Sequence, residues 1–258
     1  MCELFGISGA RPIPVNRYLK ELAAHSTEHP NGWGIAVFFG NAVSLEKEQL
    51  PAYQSRYLKE RLSHPFEAQN MFAHIRLATK GEMAYENCHP FVKRDASGRA
   101  WTLIHNGTIF ECPLLDPYIY TEEGRTDSER ILCHIIACIN MKMKTSGRKL
   151  SAKERFEVLD AILREITRPN NKVNLLVYDS ELMYAHVNMR DTLFCRNLDG
   201  STLLSTVPLC GGAWEPLPFA RLLAWRDGTL VFTGESHGNE YIYDPEDMKY
   251  LYLDQAYL

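Results

Sequence analysis

Short apolar runs separated by turn residues dominate the pattern of this chain, and such runs predict β-strands. The first lies within the first ten residues, where Leu4, Phe5 and Ile7 form an apolar group. The pair Gly40-Asn41 predicts a type II′ hairpin turn because glycine is its first residue. Further strands are predicted over residues 35–39, 42–48, 71–76, 91–94, 101–105, 172–178, 182–189, 192–197, 201–207, 221–226 and 229–233.

Two stretches with helical periodicity open with a capping-box pattern. Thr126 and Glu129 begin the first, and Ser151 and Glu154 begin the second, so each helix is expected to have a reciprocally bonded N-terminus. Apolar residues recur at helical spacing behind both of these starts. Shorter helices are predicted around residues 15–23 and 53–62.

The order of the elements indicates the fold class. Strands, then two amphipathic helices, then further strands with turns between them predict antiparallel sheets covered by helices. No change of composition marks a boundary, so we predict one domain over residues 1–258.

The composition is that of an ordinary globular protein, with 45% apolar and 23% charged residues. A net charge of −4 and an isoelectric point near 6.1 lack the basic character of nucleic-acid-binding proteins, so no nucleic-acid partner is expected. No apolar run approaches the roughly 18 residues of a membrane helix, and no secretory signal pattern opens the chain. We therefore expect no membrane association.

The cysteines indicate a reducing compartment. They form no C-x-x-C pair, and nothing marks a secreted protein, so we expect reduced thiols in a cytoplasmic protein. Cys133, His134 and Cys138 lie together, but no second cluster with ligand spacing accompanies them, so we expect neither a metal nor a cofactor. The seven cysteines are Cys2, Cys88, Cys112, Cys133, Cys138, Cys195 and Cys210.

Cys2 is the strongest candidate for a catalytic residue. If Met1 is removed, Cys2 has a free α-amine with an ordinary pKa of about 7.7–8.0 beside a thiol that reacts as the thiolate. One residue would then hold both a nucleophile and a base. Taken alone, a cysteine after the initiator is more often an accident of where translation starts.

Four further motifs follow Cys2 along the chain, and together they form a recognisable series. The series resembles the class II glutamine amidotransferases, a branch of the N-terminal nucleophile hydrolases. The opening Met1-Cys2-Glu3-Leu4 and the stretch Gly32-Trp33-Gly34 are most similar to its stand-alone YafJ-like branch. The four motifs are Ala73-His74-Ile75-Arg76-Leu77-Ala78-Thr79, Asn87-Cys88-His89-Pro90-Phe91, His105-Asn106-Gly107 and Thr126-Asp127-Ser128-Glu129.

The resemblance implies both a fold and a reaction. The fold is an α+β, four-layer αββα sandwich of two antiparallel sheets flanked by helices, in a type 2 glutamine amidotransferase domain whose mature chain starts at Cys2. The reaction is attack of Cys2 on the side-chain amide of glutamine or of a γ-glutamyl amide. A thioester forms on Cys2, and ammonia or an amine is released. The Asn106 side chain and the Gly107 backbone N–H correspond to the oxyanion hole.

The resemblance also assigns residues to the substrate. Arg76 matches the residue that holds the α-carboxylate, Asp127 matches the one that holds the α-ammonium, and Thr79 and Lys80 fall where the family contacts glutamine. The chemistry of the substrate independently favours an arginine and an acidic residue. A free amino acid carries one carboxylate and one ammonium, so a selective site needs a group of opposite charge for each, and Arg binds carboxylates through a planar fork. At Lys80 the chain departs from several members of the family, which have His there.

Each motif also has a purely structural interpretation. Arg76 could form an ion pair at a strand end, and Asp127 would stabilise a helix N-terminus by about 0.3–1 kcal/mol without any ligand. Asn106-Gly107 is a common turn dipeptide. Structural roles are expected for His74, His89 and His105.

Alternative functions stay open at this point. We expect no synthase domain within this sequence, so a separate synthase could use the ammonia, or the protein could simply hydrolyse its amide. A catalytically silent protein that binds glutamine or docks on a synthase would keep the same pocket. A Cys–His hydrolase built on Cys88 and His89 is a weaker alternative, because adjacent strand residues point to opposite faces.

Overall fold

The computed structural model describes residues 2–79 and 81–246. Met1, Lys80 and residues 247–258 therefore lie outside the described part of the chain. In chain order the elements are β1 (Glu3–Pro14), α1 (Asn16–Ala24), β2 (Trp33–Phe39), β3 (Ala42–Glu48), α2 (Arg56–Arg61), β4 (Glu67–Ile75), β5 (Phe91–Arg94), β6 (Ala100–Thr108), α3 (Asp127–Ser146), α4 (Ala152–Ile166), β7 (Lys172–Tyr178), β8 (Met183–His186), β9 (Phe194–Leu198), β10 (Ser201–Ser205), β11 (Glu215–Pro216), β12 (Leu222–Arg226) and β13 (Thr229–Thr233).

The strands form two antiparallel sheets. The first has seven strands in the order β11-β9-β10-β1-β4-β2-β3, and the second has six in the order β13-β12-β8-β7-β6-β5. In the first sheet Glu3 pairs with Ile75, and in the second Gly107 pairs with Val173. Because β1 is bonded on both sides, the beginning of the chain is fixed inside a sheet.

Three apolar clusters separate four layers. Leu4 and Phe72 from the first sheet meet Ile104 and Leu176 from the second in the space between the sheets. The outer face of the first sheet packs against α1 and α2, and the outer face of the second packs against α3 and α4. The prediction of an α+β, αββα sandwich is therefore confirmed.

The N-termini of the two long helices differ. In α3 the predicted N-cap residue is confirmed, but the predicted reciprocal bond of the capping box is wrong. In α3, the Thr126 hydroxyl accepts the N–H of Glu129 at 3.2 Å, as expected for an N-cap. The Glu129 carboxylate does not complete a capping box; it accepts the N–H groups of Glu123 and Gly124, each at 2.9 Å. Lys93 also pairs with Glu129 at 2.8 Å, so a contact from a distant strand outcompetes the local one.

The second capping box forms as predicted. The Ser151 hydroxyl accepts the N–H of Glu154 at 3.3 Å, and the Glu154 carboxylate accepts the N–H of Ser151 at 2.8 Å. These two bonds satisfy two of the backbone N–H groups that have no acceptor within the helix.

One strand is longer than predicted, which changes the interpretation of its end. β6 continues through Thr108, so Asn106 and Gly107 are paired strand residues rather than a turn. A Cβ on Gly107 would lie 2.0 Å from the Lys172 carbonyl oxygen, so glycine serves close strand approach here. Among the described helices, none is long and apolar enough to cross a bilayer.

Candidate active site

The twofold periodicity of the strands brings three predicted site residues to one end of the sandwich. Side chains two or four residues apart share a face of a strand. Cys2 therefore lies on the same face as Leu4, and Arg76 on the same face as Phe72, which both point between the sheets. Asn106 follows Ile104 in the same way on the second sheet. The register places all three at the edge where β1 begins and β4 and β6 end.

The Cys2 thiol is held by the backbone of Leu77. Its Sγ donates to the Leu77 carbonyl at 3.3 Å and accepts the Leu77 N–H at 3.4 Å. Burial raises the pKa of the Cys2 thiol, although the Leu77 N–H opposes that shift. The sulfur is therefore protonated at neutral pH and needs a proton acceptor before it can attack.

Asn106 contacts Cys2 directly. Its Nδ2 donates to the Cys2 carbonyl at 2.5 Å, while its Oδ1 accepts from Lys172 Nζ at 3.2 Å. The donor end of this carboxamide thus faces the cysteine. Gly107 follows in the same strand, so the two predicted oxyanion donors are consecutive residues of β6.

Arg76 is buried, with only 2% of its surface exposed. Its guanidinium donates to the carbonyls of Gly81 at 2.9 Å and Glu82 at 3.0 Å, in the loop that follows β4. Burial lowers the pKa of Arg76, whereas Cys2, Cys88 and Asp127 act in the opposite direction. Arg76 therefore shares one electrostatic environment with Cys2 and Asp127.

Asp127 is the first residue of α3 and is also buried. Its Oδ2 accepts the N–H of Ile109 at 2.8 Å, and its Oδ1 accepts from the Ser128 hydroxyl at 3.3 Å. The helix start is thereby connected to the segment that leaves β6. This contact brings the carboxylate to the same end of the sandwich as Asn106.

The other two predicted substrate contacts have different outcomes. Thr79 belongs to the loop after β4, and its Oγ1 lies 3.4 Å from Oγ1 of Thr108, the last residue of β6. It therefore joins the two sheets beside the predicted oxyanion donors. Lys80 lies outside the described residues, so its role stays a prediction.

Three buried histidines lie behind the site. His105 contacts the Ser128 hydroxyl through Nδ1 at 3.0 Å and the Lys172 carbonyl through Nε2 at 3.2 Å. The His74 ring stacks beside the His89 ring with centroids 4.1 Å apart, and burial lowers the pKa of His74 to about 3. Burial also lowers the pKa of His89. Neutral imidazoles at these positions suit the structural roles expected for them.

The alternative centred on Cys88 and His89 gains no support. The Cys88 Sγ lies 3.4 Å from the carbonyl oxygens of both Glu48 and Ala84, either of which can accept its single proton, and burial raises its pKa. Among the described residues, no hydrogen bond joins Cys88 to the His89 ring. Nor does the described part of the chain gather three or more His, Cys, Asp or Glu side chains around a potential metal position.

Two residues of the site were missed in the sequence. Asn31 holds the loop after β4, because its N–H donates to the Arg76 carbonyl at 3.0 Å and its Oδ1 accepts the Ala78 N–H at 2.9 Å. Lys172 begins β7 and reaches Asn106. The available signal was its position four residues before Leu176, which places a lysine on the inward face of a buried strand.

Comparisons with known proteins identify the family of this chain. A family model described as class II glutamine amidotransferases matches residues 1–198. The Escherichia coli (strain K12) protein named "Putative glutamine amidotransferase YafJ" is 29% identical over 189 residues, which cover 72% of this chain and 72% of that protein. An uncharacterized protein of Methanocaldococcus jannaschii is 26% identical over 263 residues and covers 91% of this chain.

Solved structures show the same fold at lower identity. A predicted glutamine amidotransferase from Pseudomonas aeruginosa superposes with a TM-score of 0.62 at 21% identity, covering 90% of this chain and all of that one. The Bacillus subtilis glutamine phosphoribosylpyrophosphate amidotransferase gives a TM-score of 0.64 at 18% identity, covering 93% of this chain and 50% of that one. Because the family model spans the chain from the Cys2 motif through both long helices to β9, the protein belongs to the class II glutamine amidotransferases.

Proposed function

We propose that this protein hydrolyses the side-chain amide of glutamine or of another γ-glutamyl amide through a thioester on Cys2. One observation supports the proposal most strongly. Cys2 directly precedes β1, Arg76 directly follows β4 and Asn106 lies near the end of β6, and all three lie at one end of the sandwich. There Asn106 bonds to Cys2, and Arg76 interacts electrostatically with the Cys2 sulfur. A nucleophile, an oxyanion donor and a carboxylate-binding cation are what amide hydrolysis of an amino acid side chain requires.

The first step is proton removal from the thiol. After loss of Met1, the α-amine of Cys2 accepts the Sγ proton, directly or through a water. Sγ then attacks the amide carbon, a C–S bond forms, and the carbonyl oxygen becomes an oxyanion. Because the pKa of the thiol is raised, the sulfur needs a base, and the α-amine of the same residue is the proposed one.

The oxyanion is stabilised by the donors of β6. Asn106 Nδ2 and the Gly107 N–H are the proposed donors, and each such donor is typically worth about 2.7–4 kcal/mol in acyl transfer. When the intermediate collapses, the C–N bond breaks and the leaving nitrogen takes the proton from the Cys2 ammonium. Ammonia, or an amine, leaves first. Water then cleaves the thioester and releases glutamate.

The head group of the substrate is recognised by charge. The Arg76 guanidinium is proposed to bind the α-carboxylate and Asp127 the α-ammonium, with Thr79 and Lys80 as further contacts. In the structure Arg76 is bonded to the carbonyls of Gly81 and Glu82. Arg carries five N–H donors, so a carboxylate can share the guanidinium with that loop or replace part of it.

The wider setting is also a proposal. The ammonia is either passed to a separate synthase or simply released. We place the reaction in the cytoplasm because all seven cysteines are free thiols, which suits a reducing compartment.

The nucleophile is tested with a matched pair of cysteine variants. Processed protein is assayed with glutamine and a panel of γ-glutamyl amides, following ammonia, amine and glutamate. Cys2→Ala is expected to lower release by at least about a thousandfold, since loss of a nucleophile removes the covalent route. Cys195→Ala, which changes a cysteine on β9, is expected to keep wild-type activity.

Two results would contradict the proposal. Full turnover by Cys2→Ala would remove the thioester mechanism. Tight glutamine binding by wild-type protein with no turnover of any amide in the panel would instead favour the catalytically silent binder.

A further inference from the structure

Lys172 occupies an unusual position for a lysine. It is the first residue of β7, only 1% of its surface is exposed, and its side chain lies on the face between the sheets. From there Nζ donates to Asn106 Oδ1 at 3.2 Å. The mechanism above uses Asn106 and does not use Lys172.

The chemistry of this contact fixes the orientation of the Asn106 carboxamide. A protonated lysine has three donors and no acceptor, whereas a carboxamide has a donor end and an acceptor end. Rotating the amide by 180° would place its NH₂ group against the ammonium. The amide oxygen must therefore face Lys172, and Nδ2 must face Cys2, whose carbonyl it contacts at 2.5 Å.

The backbone of Lys172 touches the neighbours of Asn106 as well. Its carbonyl oxygen lies 3.2 Å from His105 Nε2, and it approaches Gly107 so closely that no Cβ would fit there. Lys172 thus contacts three consecutive residues of β6. Two of these, Asn106 and Gly107, are the proposed oxyanion donors.

We propose that Lys172 is the positioning residue of the oxyanion hole, holding Asn106 with its Nδ2 aimed at the reacting carbonyl. The inference rests on the proposed function, since it adds a residue to the same site. Lys172 acts through Asn106 and does not itself touch the substrate.

The energetics of the position agree with a specific role. Burial lowers the pKa of Lys172 to about 8, while Cys2, when its sulfur is ionised, acts in the opposite direction. Burying an ammonium group costs stability, and an apolar side chain of similar length would avoid that cost. A methionine at this position could not donate a hydrogen bond to Asn106, whereas Lys172 does.

The first arm of the test separates kcat from KM. Lys172→Met is expected to lower kcat for glutamine by about 10- to 100-fold, which is less than the ~100- to 1000-fold expected when a donor is removed outright. KM is expected to stay within about twofold, because the substrate head group is bound by other residues. Lys172→Arg, which keeps a donor-only cation, is expected to recover most of kcat. An unchanged kcat in Lys172→Met would overturn the inference.

The second arm asks whether Lys172 acts through Asn106. In an Asn106→Ala background, Lys172→Met is expected to cause little further loss of kcat, because the group it positions is already absent. If the two losses multiply, Lys172 acts independently and the inference is wrong. The rate of Cys2 labelling by iodoacetamide is also measured against pH in wild type and Lys172→Met, with the labelled peptide identified by mass spectrometry. Because Lys172 and an ionised Cys2 attract each other, a small rise in the Cys2 pKa is expected in the variant. A rise large enough to account for the whole loss of kcat at the assay pH would assign the lysine to the sulfur instead.

A third arm needs no turnover and so separates the two proposals. The Tm values of Lys172→Met, Asn106→Ala and the double variant are compared with that of the wild type. A Tm change in the double variant that differs from the sum of the two single changes supports the coupling even if no amide is hydrolysed, in which case only the proposed function fails. Additive Tm changes, together with normal ammonia release by the wild type, would reject the role of Lys172 and leave the proposed function standing.

Discussion

At the scale of the residue, burial changes the acid–base chemistry of the candidate site. The Cys2 thiol and the Lys172 ammonium lie at the same end of the sandwich, and burial disfavours the charged form of each. It raises the pKa of Cys2 and lowers the pKa of Lys172 to about 8. The site therefore holds a neutral nucleophile that needs a base, and a lysine whose charge depends on pH in an accessible range.

The lysine gives a prediction about stability. An unfolded lysine has a pKa of about 10.4, so between about pH 8 and 10.4 the unfolded chain binds more protons than the folded chain. The contribution of Lys172 to stability is then fully present above about pH 10.4 and is lost as the pH falls through about 8. Relative to Lys172→Met, the wild type should gain about 3 kcal/mol of unfolding free energy across this window.

Urea titrations of both proteins at a series of pH values measure this difference. Using the difference between two proteins cancels the titration of the other cysteines, lysines and tyrosines. A difference in unfolding free energy that stays flat from pH 7 to about 10.5 would show that Lys172 is not buried as a titrating group.

Individual site residues were predictable to different degrees. Cys2, Arg76 and Asn106 could be proposed because their motifs stand at strand ends with the spacing of a known family. Lys172 was missed, since a single lysine at the start of an apolar run is usually a solvated strand end. Its partner Asn106 is 66 residues away in the sequence, so only the register of β6 on β7 shows the contact.

At the scale of the element, the two long helices offer a matched comparison. Both begin with a side-chain cap, Thr126 on α3 and Ser151 on α4. Only α3 carries a proposed substrate residue, Asp127, directly after its cap. The start of α3 should therefore matter for both stability and substrate affinity, and the start of α4 for stability alone.

Replacing each cap by alanine tests that difference. Thr126→Ala and Ser151→Ala are each expected to lower the free energy of unfolding by about 1 kcal/mol. Only Thr126→Ala should also raise KM for glutamine, because fraying of the first turn displaces the Asp127 carboxylate. Equal KM values in the two variants would argue against Asp127 as a substrate contact.

The elements themselves were largely predictable, and the exceptions have non-local causes. Twofold and helical periodicity located the sheets and the long helices. The capping box of α3 was wrong because Glu129 finds Lys93 and the backbone of residues 123 and 124 instead. The predicted strand ended at residue 105, with a turn at Asn106-Gly107 as the structural alternative, whereas both residues pair with β7, a partner that local sequence does not specify.

At the scale of the whole molecule, the two sheets together hold the proposed nucleophile Cys2 in place. β1 lies inside the seven-stranded sheet, bonded to β10 on one side and to β4 on the other. Cys2 is thus anchored although it is nearly terminal. The second sheet then supplies Asn106 and Lys172 across the space between the layers.

A free α-amine on Cys2 is proposed to activate the sulfur of the same residue. This activation is tested by comparing ammonia release from glutamine by two proteins whose N-termini are verified by mass spectrometry. One begins with a free Cys2, and the other has a glutamate inserted between Met1 and Cys2, so that the cysteine nitrogen stays in an amide. We predict turnover by the first and loss of at least about a hundredfold in kcat by the second, the scale of a missing general base. Equal turnover by both proteins would contradict the account.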